Sequence, residues 1–306
     1  MLILGRKYIF TEIEKKQLSK KFKIFKQIDY KNITPNETKN QIESLISNKE
    51  YKVIVLNTQG KVSDDLVRYL TNLQFEKKIK LIGIEKFLEN YLYKCYIPKD
   101  NGDLHFLDDI KPFNTFQYIQ KRTIDFIGVS LLFLFGWPFI YIIKSKMKKE
   151  SPGKLYFKQN RIGKDKKVFQ CRKFRTMHEN SYHDPYTKEG DARIYPYGRF
   201  LRKSRIDELP QILNVIRGEI HLIGPRAEWE ILVKEYEQKI PYYHERHLIK
   251  PGITGWGQVN YPYGSNVDDT IQKLMYDLYY IKHWTILLEI KIIFKTIMIV
   301  IGKRGL

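Results

Sequence analysis

The sequence predicts an α/β protein in two parts. A small parallel sheet with helices on its faces comes first, followed by an α/β segment held at a membrane surface. Three observations lead there. Short apolar runs alternate with polar, helix-like segments over residues 1 to about 110. Eighteen residues from Phe126 to Ile143 then pass without a charge. Finally, 54 Lys and Arg against 34 Asp and Glu leave a formal net charge of +20, which favours anionic partners: nucleic acid, anionic lipid or phosphorylated substrate.

The 306 residues suggest about two domains. A mean hydropathy of −0.43 excludes a polytopic membrane protein. Cys95 and Cys171 stand far apart without metal-ligand spacing, which fits a reducing cytoplasm. The opening run Met1–Arg6 is too short for a signal peptide.

In the first part, strands are expected at Leu2–Leu4, Lys23–Ile28, Tyr51–Leu56 and Ile79–Ile84. Helices are expected at Thr11–Lys20, Pro35–Asn48 and Asp64–Lys77. Sheets of this kind often bind nucleotides, but no GxGxxG follows the first strand. The expectation is a folded or regulatory module without catalysis, with Pro98–Pro112 as the linker out of it.

The uncharged run is at the lower limit for spanning a bilayer, and a buried soluble helix is the competing reading. Gly136-Trp137-Pro138 lies past its middle, where proline removes a helical hydrogen bond. Lys121 and Arg122 precede the run, and Lys144, Lys146, Lys148 and Lys149 follow it, so the positive-inside rule keeps both ends in the cytoplasm. A helix over about 122–146 that dips in, breaks at Pro138 and returns satisfies both facts.

Beyond it, Lys158–Gly163 reads as a strand and turn, and Cys171–Met177 as a basic strand. Alternation puts Lys173 and Arg175 on one face and Arg172 and Phe174 on the other. A solvated basic face and a phosphate site explain this strand equally well. His178 and His183, and later His244 and His247, lack a third ligand and are not expected to bind metal.

Ser204–Gln211 then carries the adjacent acids Asp207 and Glu208 among Arg199, Arg202, Lys203, Arg205, Arg217 and Arg226. Such surroundings lower carboxylate pKa values, so both acids are expected ionised. They suit a nucleophile toward phosphorus or a metal ligand, with arginines holding an anionic substrate. The alternative is a helix cap, since Pro210 suits a first helical turn and an acid before it commonly caps.

A short helix over Gln211–Ile216 closes at Arg217-Gly218, and Gly224-Pro225 delivers Arg226 on a tight turn. Gly252, Gly255 and Gly257 crowd the next loop, either for close approach to a ligand or for a tight structural turn. Trp256 is a candidate for the lipid–water boundary. From Trp284 to Ile301 an apolar helix carries Glu289, Lys291 and Lys295. Three charges argue for lying on a membrane rather than crossing it.

From about Lys121 to Ile301 the chain resembles the bacterial sugar transferases, the monotopic phosphoglycosyl transferases. The resemblance rests on Lys121–Asp125, Phe157–Gly163, Lys173–Met177, Gly198–Lys203, Asp207–Gln211, Asn214–Glu219, Ile223–Arg226 and Lys250–Gly255, in the family's order. It implies a C-terminal α/β catalytic domain over residues 111–306 with a re-entrant helix, behind a Rossmann-like module over residues 1–110. It also implies transfer of a sugar phosphate from a UDP-sugar to polyprenol phosphate, releasing UMP, as the first membrane step of surface glycan assembly. By the same resemblance Asp207 is the nucleophile that carries the phospho-sugar, and Glu208 stands beside a Mg²⁺.

Phosphoryl transfer needs charge neutralisation and positioning. Arg202, Arg205 and Arg226 are therefore candidate phosphate clamps, with Lys173 and Arg175 beside them. The implied location is the cytoplasmic face of the inner membrane, with a homodimer left open. The chain departs from the family at Trp137, where a small residue usually precedes the proline, at Ala227 in the family's Pro-Arg-Pro turn, and at Gly257, where the family usually has alanine. Long members place a four-helix membrane bundle ahead of the module, and this chain is expected to keep the module alone. Two other classes compete: a silent basic scaffold at the membrane, opposed by the intact acid pair, and a nucleic-acid binder, opposed by the absence of any such motif.

Overall fold

The computed structural model describes residues 1–23, 25–29, 34–48, 51–58, 62–99, 108, 110–182, 190–262, 264 and 266–302; for residues 135, 137 and 138 it describes the backbone alone. The chain divides into two compact units, Met1–Tyr96 and Ile97–Leu306. Of the expected linker Pro98–Pro112, residues 100–107 and 109 lie outside the described residues.

The first unit alternates β1 (Leu2–Leu4), α1 (Glu12–Ser19), β2 (Lys26–Ile28), α2 (Pro35–Asn48), β3 (Val53–Leu56), α3 (Asp64–Glu76) and β4 (Lys80–Gly83), ending in α4 (Ile84–Phe87). Its sheet is wholly parallel in the order β2-β1-β3-β4. Strands covered on both faces are continuously apolar, as Leu2-Ile3-Leu4 and Val53-Ile54-Val55 are. Thr11 and Glu14 close a capping box on α1, and α3 buries Leu66, Leu70 and Leu73 at helical spacing. Strand order reverses between β1 and β3, the place where open α/β sheets hold ligands. Here Asn57, fully buried at the end of β3, accepts from the Tyr8 amide and donates to the Gly5 and Tyr8 carbonyls. The chain's own first loop is thus bonded into that crevice.

The second unit opens with α5 (Thr115–Glu150), capped by an Asn114–Gln117 box. Its arms Thr115–Leu134 and Phe139–Glu150 are bent by 65° at the intervening residues. Gly136 and Pro138 fall in that break; the Pro138 side chain lies outside what is described. Among the described residues no single helix is long and apolar enough to cross a membrane, whereas the two arms together have the length and composition.

Each arm buries a narrow stripe. Val129 packs with Phe169, Cys171, Val215 and Ile220, and Ile143 and Met147 pack with Phe174 and Leu201. An antiparallel hairpin, β5 (Tyr156–Ile162) and β6 (Val168–Phe174), is followed by α6 (Pro196–Lys203) and α7 (Ile212–Ile216). A parallel pair, β7 (His221–Ile223) and β8 (Gly252–Thr254), brackets α8 (Glu230–Lys239). Helices α9 (Trp256–Asn260), α10 (Val267–Lys282) and α11 (Ile286–Ile301) finish the unit.

The base of α5 is fastened through polar groups. Lys121 Nζ, fully buried, lies 2.9 Å from Glu289 of α11 and donates to the Ile223 carbonyl at 2.6 Å. Trp284 and Tyr280 also donate to Glu289. Asp125 accepts from His221 Nδ1 and from the Leu222 amide, and Arg122 bonds both Asp125 and the Val215 carbonyl.

One expectation is corrected here, and one open alternative is resolved. Trp256 is buried, stacked on Tyr279 with Lys291 and Lys295 over its ring, so it is not at a lipid–water boundary. The crowded glycines serve backbone against backbone. A Cβ on Gly252 would lie 2.1 Å from the Gly224 nitrogen, and one on Gly255 would lie 2.0 Å from the Gly224 oxygen. Only hydrogen fits at those contacts, so Gly252 and Gly255 seat β8 against the turn that carries Arg226.

Candidate active site

The acid pair rides on a 3-10 turn, Ile206–Gln211, packed against β6. Arg205 leads into it in the left-handed conformation, at φ 58°, which a non-glycine residue adopts at a cost. Asp207 and Glu208 sit inside the first turn and Pro210 lies within it. Neither acid therefore caps the helix, and Pro210 does not begin it. The cap reading falls away.

Both acids are buried, and their surroundings divide them. Glu208 Oε1 lies 2.6 Å from Lys173 Nζ, 3.4 Å from Arg226 Nη1 and 4.0 Å from Arg205 Nη1. Burial alone would raise its pKa, but these three cations outweigh burial and hold it well below the carboxylate range. The Asp207 carboxylate has neither a hydrogen bond nor an ion pair among the described residues, and the residue is 8% exposed. Burial pushes its carboxyl up and Glu208 adds to the rise, against the pull of Lys173, Arg202 and Arg205. The expectation that the surroundings lower both carboxyl pKa values is corrected: the cations do so for Glu208, whereas burial outweighs them at Asp207.

The other predicted residues separate. Lys173, Arg205 and Arg226 converge on Glu208. Arg202 donates through Nε to Thr176 Oγ1 at 2.8 Å, and its charge is felt at Asp207. Arg175 stands elsewhere. Strand β6 ends at Phe174, so alternation no longer applies, and the buried Arg175 guanidinium bonds Ser151 and the Lys154 and Met177 carbonyls. It anchors the segment after α5 instead of facing the acids. Arg199 and Lys203 line a cavity of about 280 Å³ with Pro196, Phe200 and Ser204, and Arg217 is exposed. In the loops Tyr182–Gly190 and Tyr261–Asn266, which the sequence offers as shapers of sugar specificity, residues 183–189, 263 and 265 lie outside the described residues.

Sequence reasoning missed the support beneath Arg226. Arg246, in the 3-10 turn Tyr243–Leu248, donates to the Arg226 carbonyl at 2.8 Å, pairs with Asp277 at 2.8 Å and bonds Tyr243 Oη at 2.7 Å. Arg161 of β5 donates to the next carbonyl, that of Ala227. Arg161 belongs to the Phe157–Gly163 motif and was the one such signal; Arg246 stands in the aromatic and basic cluster Tyr242–His247, which nothing in the sequence ties to the acids.

As for a metal, no group of three or more His, Cys, Asp or Glu side chains is arranged for one among the described residues. Asp207 and the Oε2 of Glu208 offer hard oxygen donors. Two carboxylates completed by substrate phosphates and water suit Mg²⁺, which seldom uses an all-protein cage.

The bacterial sugar transferase family profile matches residues 116–303. The chain belongs to that family. It is 40% identical over 187 residues to the UDP-N-acetylgalactosamine-undecaprenyl-phosphate N-acetylgalactosaminephosphotransferase of Aeromonas hydrophila, covering 60% of this chain and 44% of that protein. It is 36% identical over 192 residues to the UDP-glucose:undecaprenyl-phosphate glucose-1-phosphate transferase of Escherichia coli (strain K12), covering 61% of this chain and 41% of the relative. A UDP-glucose:undecaprenyl-phosphate glucose-1-phosphate transferase from Caulobacter vibrioides is 36% identical over 183 residues, 58% of this chain and 68% of its own length. The chain thus spans about two fifths of the first two relatives and two thirds of the third.

Proposed function

We propose that this chain transfers a sugar 1-phosphate from a UDP-sugar to a polyprenol phosphate such as undecaprenyl phosphate at the cytoplasmic face of a bacterial inner membrane, opening the assembly of a surface glycan. The observation that carries this is the unequal acid pair: Glu208 is locked by three cations, while Asp207 beside it is poorly stabilised as an anion and unpartnered among the described residues. An anion that lacks stabilising bonds is the better nucleophile.

In the first step an Asp207 carboxylate oxygen attacks the sugar-bearing phosphorus of the diphosphate. The bond from that phosphorus to the bridging oxygen breaks, and UMP leaves with the electron pair. In the second, a phosphate oxygen of the polyprenol phosphate attacks the same phosphorus. The polyprenol diphospho-sugar forms, and Asp207 recovers its carboxylate. Arg226, Arg205 and Arg202 surround the place where the diphosphate charge must be neutralised. Lys173 keeps Glu208 ionised and fixed. A Mg²⁺ held by Glu208 would supply further neutralisation of the leaving phosphate.

The membrane reading draws on the 65° bend between two apolar arms, with basic residues at both ends, which suits a helix that enters and returns on one side.

The deciding experiment assays purified protein with undecaprenyl phosphate, Mg²⁺ and a panel of UDP-sugars, reading UMP release and the mass of trapped protein. Wild type should release UMP and carry a phospho-sugar adduct on Asp207, and EDTA should stop turnover. Asp207→Asn should lose both signals; undiminished turnover in that variant would remove Asp207 from the mechanism.

A further inference from the structure

Arg226 reaches Glu208 from a loop in which its own carbonyl and the one that follows are both held by guanidinium groups. Arg246 Nη2 holds the Arg226 carbonyl at 2.8 Å, and Arg161 Nη1 holds the Ala227 carbonyl. Each brace is itself anchored. Arg161 also bonds Gln159 of its own strand, at 3.1 Å from Nε and 2.9 Å from Nη2. Arg246 is fixed between Asp277 and Tyr243, both fully or nearly fully buried. Burial pushes the Asp277 carboxyl up to about 6 in spite of the Arg246 charge, so the pair is held in a dry setting where an unmade bond is costly. The loop also meets its neighbours through backbone: the Ile162 amide donates to the Glu228 carbonyl and the Gly252 amide to the Pro225 carbonyl. Chain direction at Arg226 is therefore set from three sides.

We propose that Arg161 and Arg246 are positioning residues for the reaction: they fix the main chain at residues 226 and 227 so that the Arg226 guanidinium is presented to Glu208 and to the diphosphate of the nucleotide sugar. This rests on the function proposed above and adds two residues that act through a third. A misplacement of about 1 Å at a phosphate clamp is enough to cost on the order of 100-fold in rate. A carbonyl held by a charged donor resists that displacement more strongly than one held by a neutral group.

Two measurements test it, one of which needs no turnover. Amide hydrogen exchange of full-length wild type and Arg161→Gln should differ at residues 224–229, with exchange there at least about 10-fold faster in the variant and the first unit unchanged. Equal exchange would remove Arg161 as a brace, whatever reaction the protein performs. The second is a kinetic double-mutant cycle on UDP-sugar KM and kcat, using Arg161→Gln, Arg226→Gln and the pair. If Arg161 acts through Arg226, each single variant raises KM about 10-fold, and the pair is no worse than Arg226→Gln. Multiplying losses would show an independent role and overturn the proposal. Arg246→Lys serves as the second brace variant, since it keeps a charge for Asp277 and folds more readily than a neutral substitute. It too should raise KM and be non-additive with Arg226→Gln; an unchanged KM would strike Arg246 from the pair. A wild type without UMP release would reject the proposed reaction and leave the exchange result to decide the brace.

Discussion

Asp207 and Glu208 are neighbours in the chain with opposite electrostatic settings; the charge of Lys173 is felt at both, but its bond is to Glu208. Lys173 is the cation bonded to Glu208 at 2.6 Å. Replacing Lys173 by Met should leave Glu208 to Arg226 and Arg205 at longer range, lowering kcat by about 100-fold with a smaller change in KM, as for a lost electrostatic group at the reacting centre. UMP release against UDP-sugar concentration measures both. A stability prediction belongs to His247. Burial, with Arg246 and Lys166 adding to it, lowers its pKa to about 3, below the ordinary 6.5. The unfolded chain thus takes up the proton first. Stability from the neutral ring is complete above pH 6.5 and is lost as pH falls toward 3. Between pH 6.5 and 4 the loss is on the order of 3 kcal/mol. His247→Phe should therefore show a flatter decline of Tm over that interval; parallel curves would refute it. The acid pair was legible because its carboxylates are adjacent in sequence, with Arg205 leading into them and Arg226 18 residues beyond Glu208. Glu289, Asp277 and His221 were not, since their partners Lys121, Arg246 and Asp125 lie 168, 31 and 96 residues away.

Among elements, those whose identity depends on local pattern were readable and those created by tertiary contact were not. The four strands and three principal helices of the first unit appear where apolar periodicity placed them, with β2 and β3 beginning a few residues later than expected. Their cores need only apolar side chains at the right spacing. The 3-10 turn of the acid pair depends instead on a left-handed arginine and on packing against β6, which no periodicity announces. The bend in α5 was readable from Gly136 and Pro138, since proline withholds an amide from the helix. Its topological meaning can be measured. Single cysteines at positions 120 and 146 should both be labelled from the cytoplasmic side alone, and the native Cys95 and Cys171 are buried and should stay silent. Labelling from opposite sides would replace a re-entrant helix by a span. Pro138→Ala should straighten the arms and move the label on position 146 toward the far side.

Over the second unit as a whole, polar and apolar groups of the terminal helix are arranged the opposite way from a helix on a water-soluble surface. Glu289 of α11 is fully buried on Lys121, Lys295 is half-buried over Trp256, and Lys291, although exposed, also lies over that ring. Leu287, at 78% exposed, and Phe294, at 64%, lead an outward face continued by Ile290, Ile297, Met298 and Ile301. Helix α5 likewise leaves Phe126, Ile127, Leu131 and Phe139 outside. The Lys121–Glu289 pair joins these two helices at the base of α5. Breaking a buried pair by removing one partner typically costs about 3–5 kcal/mol, so the two apolar faces keep a fixed relation. Apolar side chains of this size gain about 1.5–3 kcal/mol each on leaving water, and a membrane surface is the partner that accepts such a face without matching contacts. Leu287→Asp/Phe294→Asp should therefore fold, because both positions face outward. It should also be extracted from membranes by a carbonate wash to a much larger extent than wild type, with α5 retaining the remainder. Lys148→Gln/Lys149→Gln, which changes charge at exposed positions after the bend, should remain in the pellet through that wash. If the Leu287 and Phe294 variant also stays in the pellet, α11 contributes nothing to membrane attachment, and α5 alone holds the protein there.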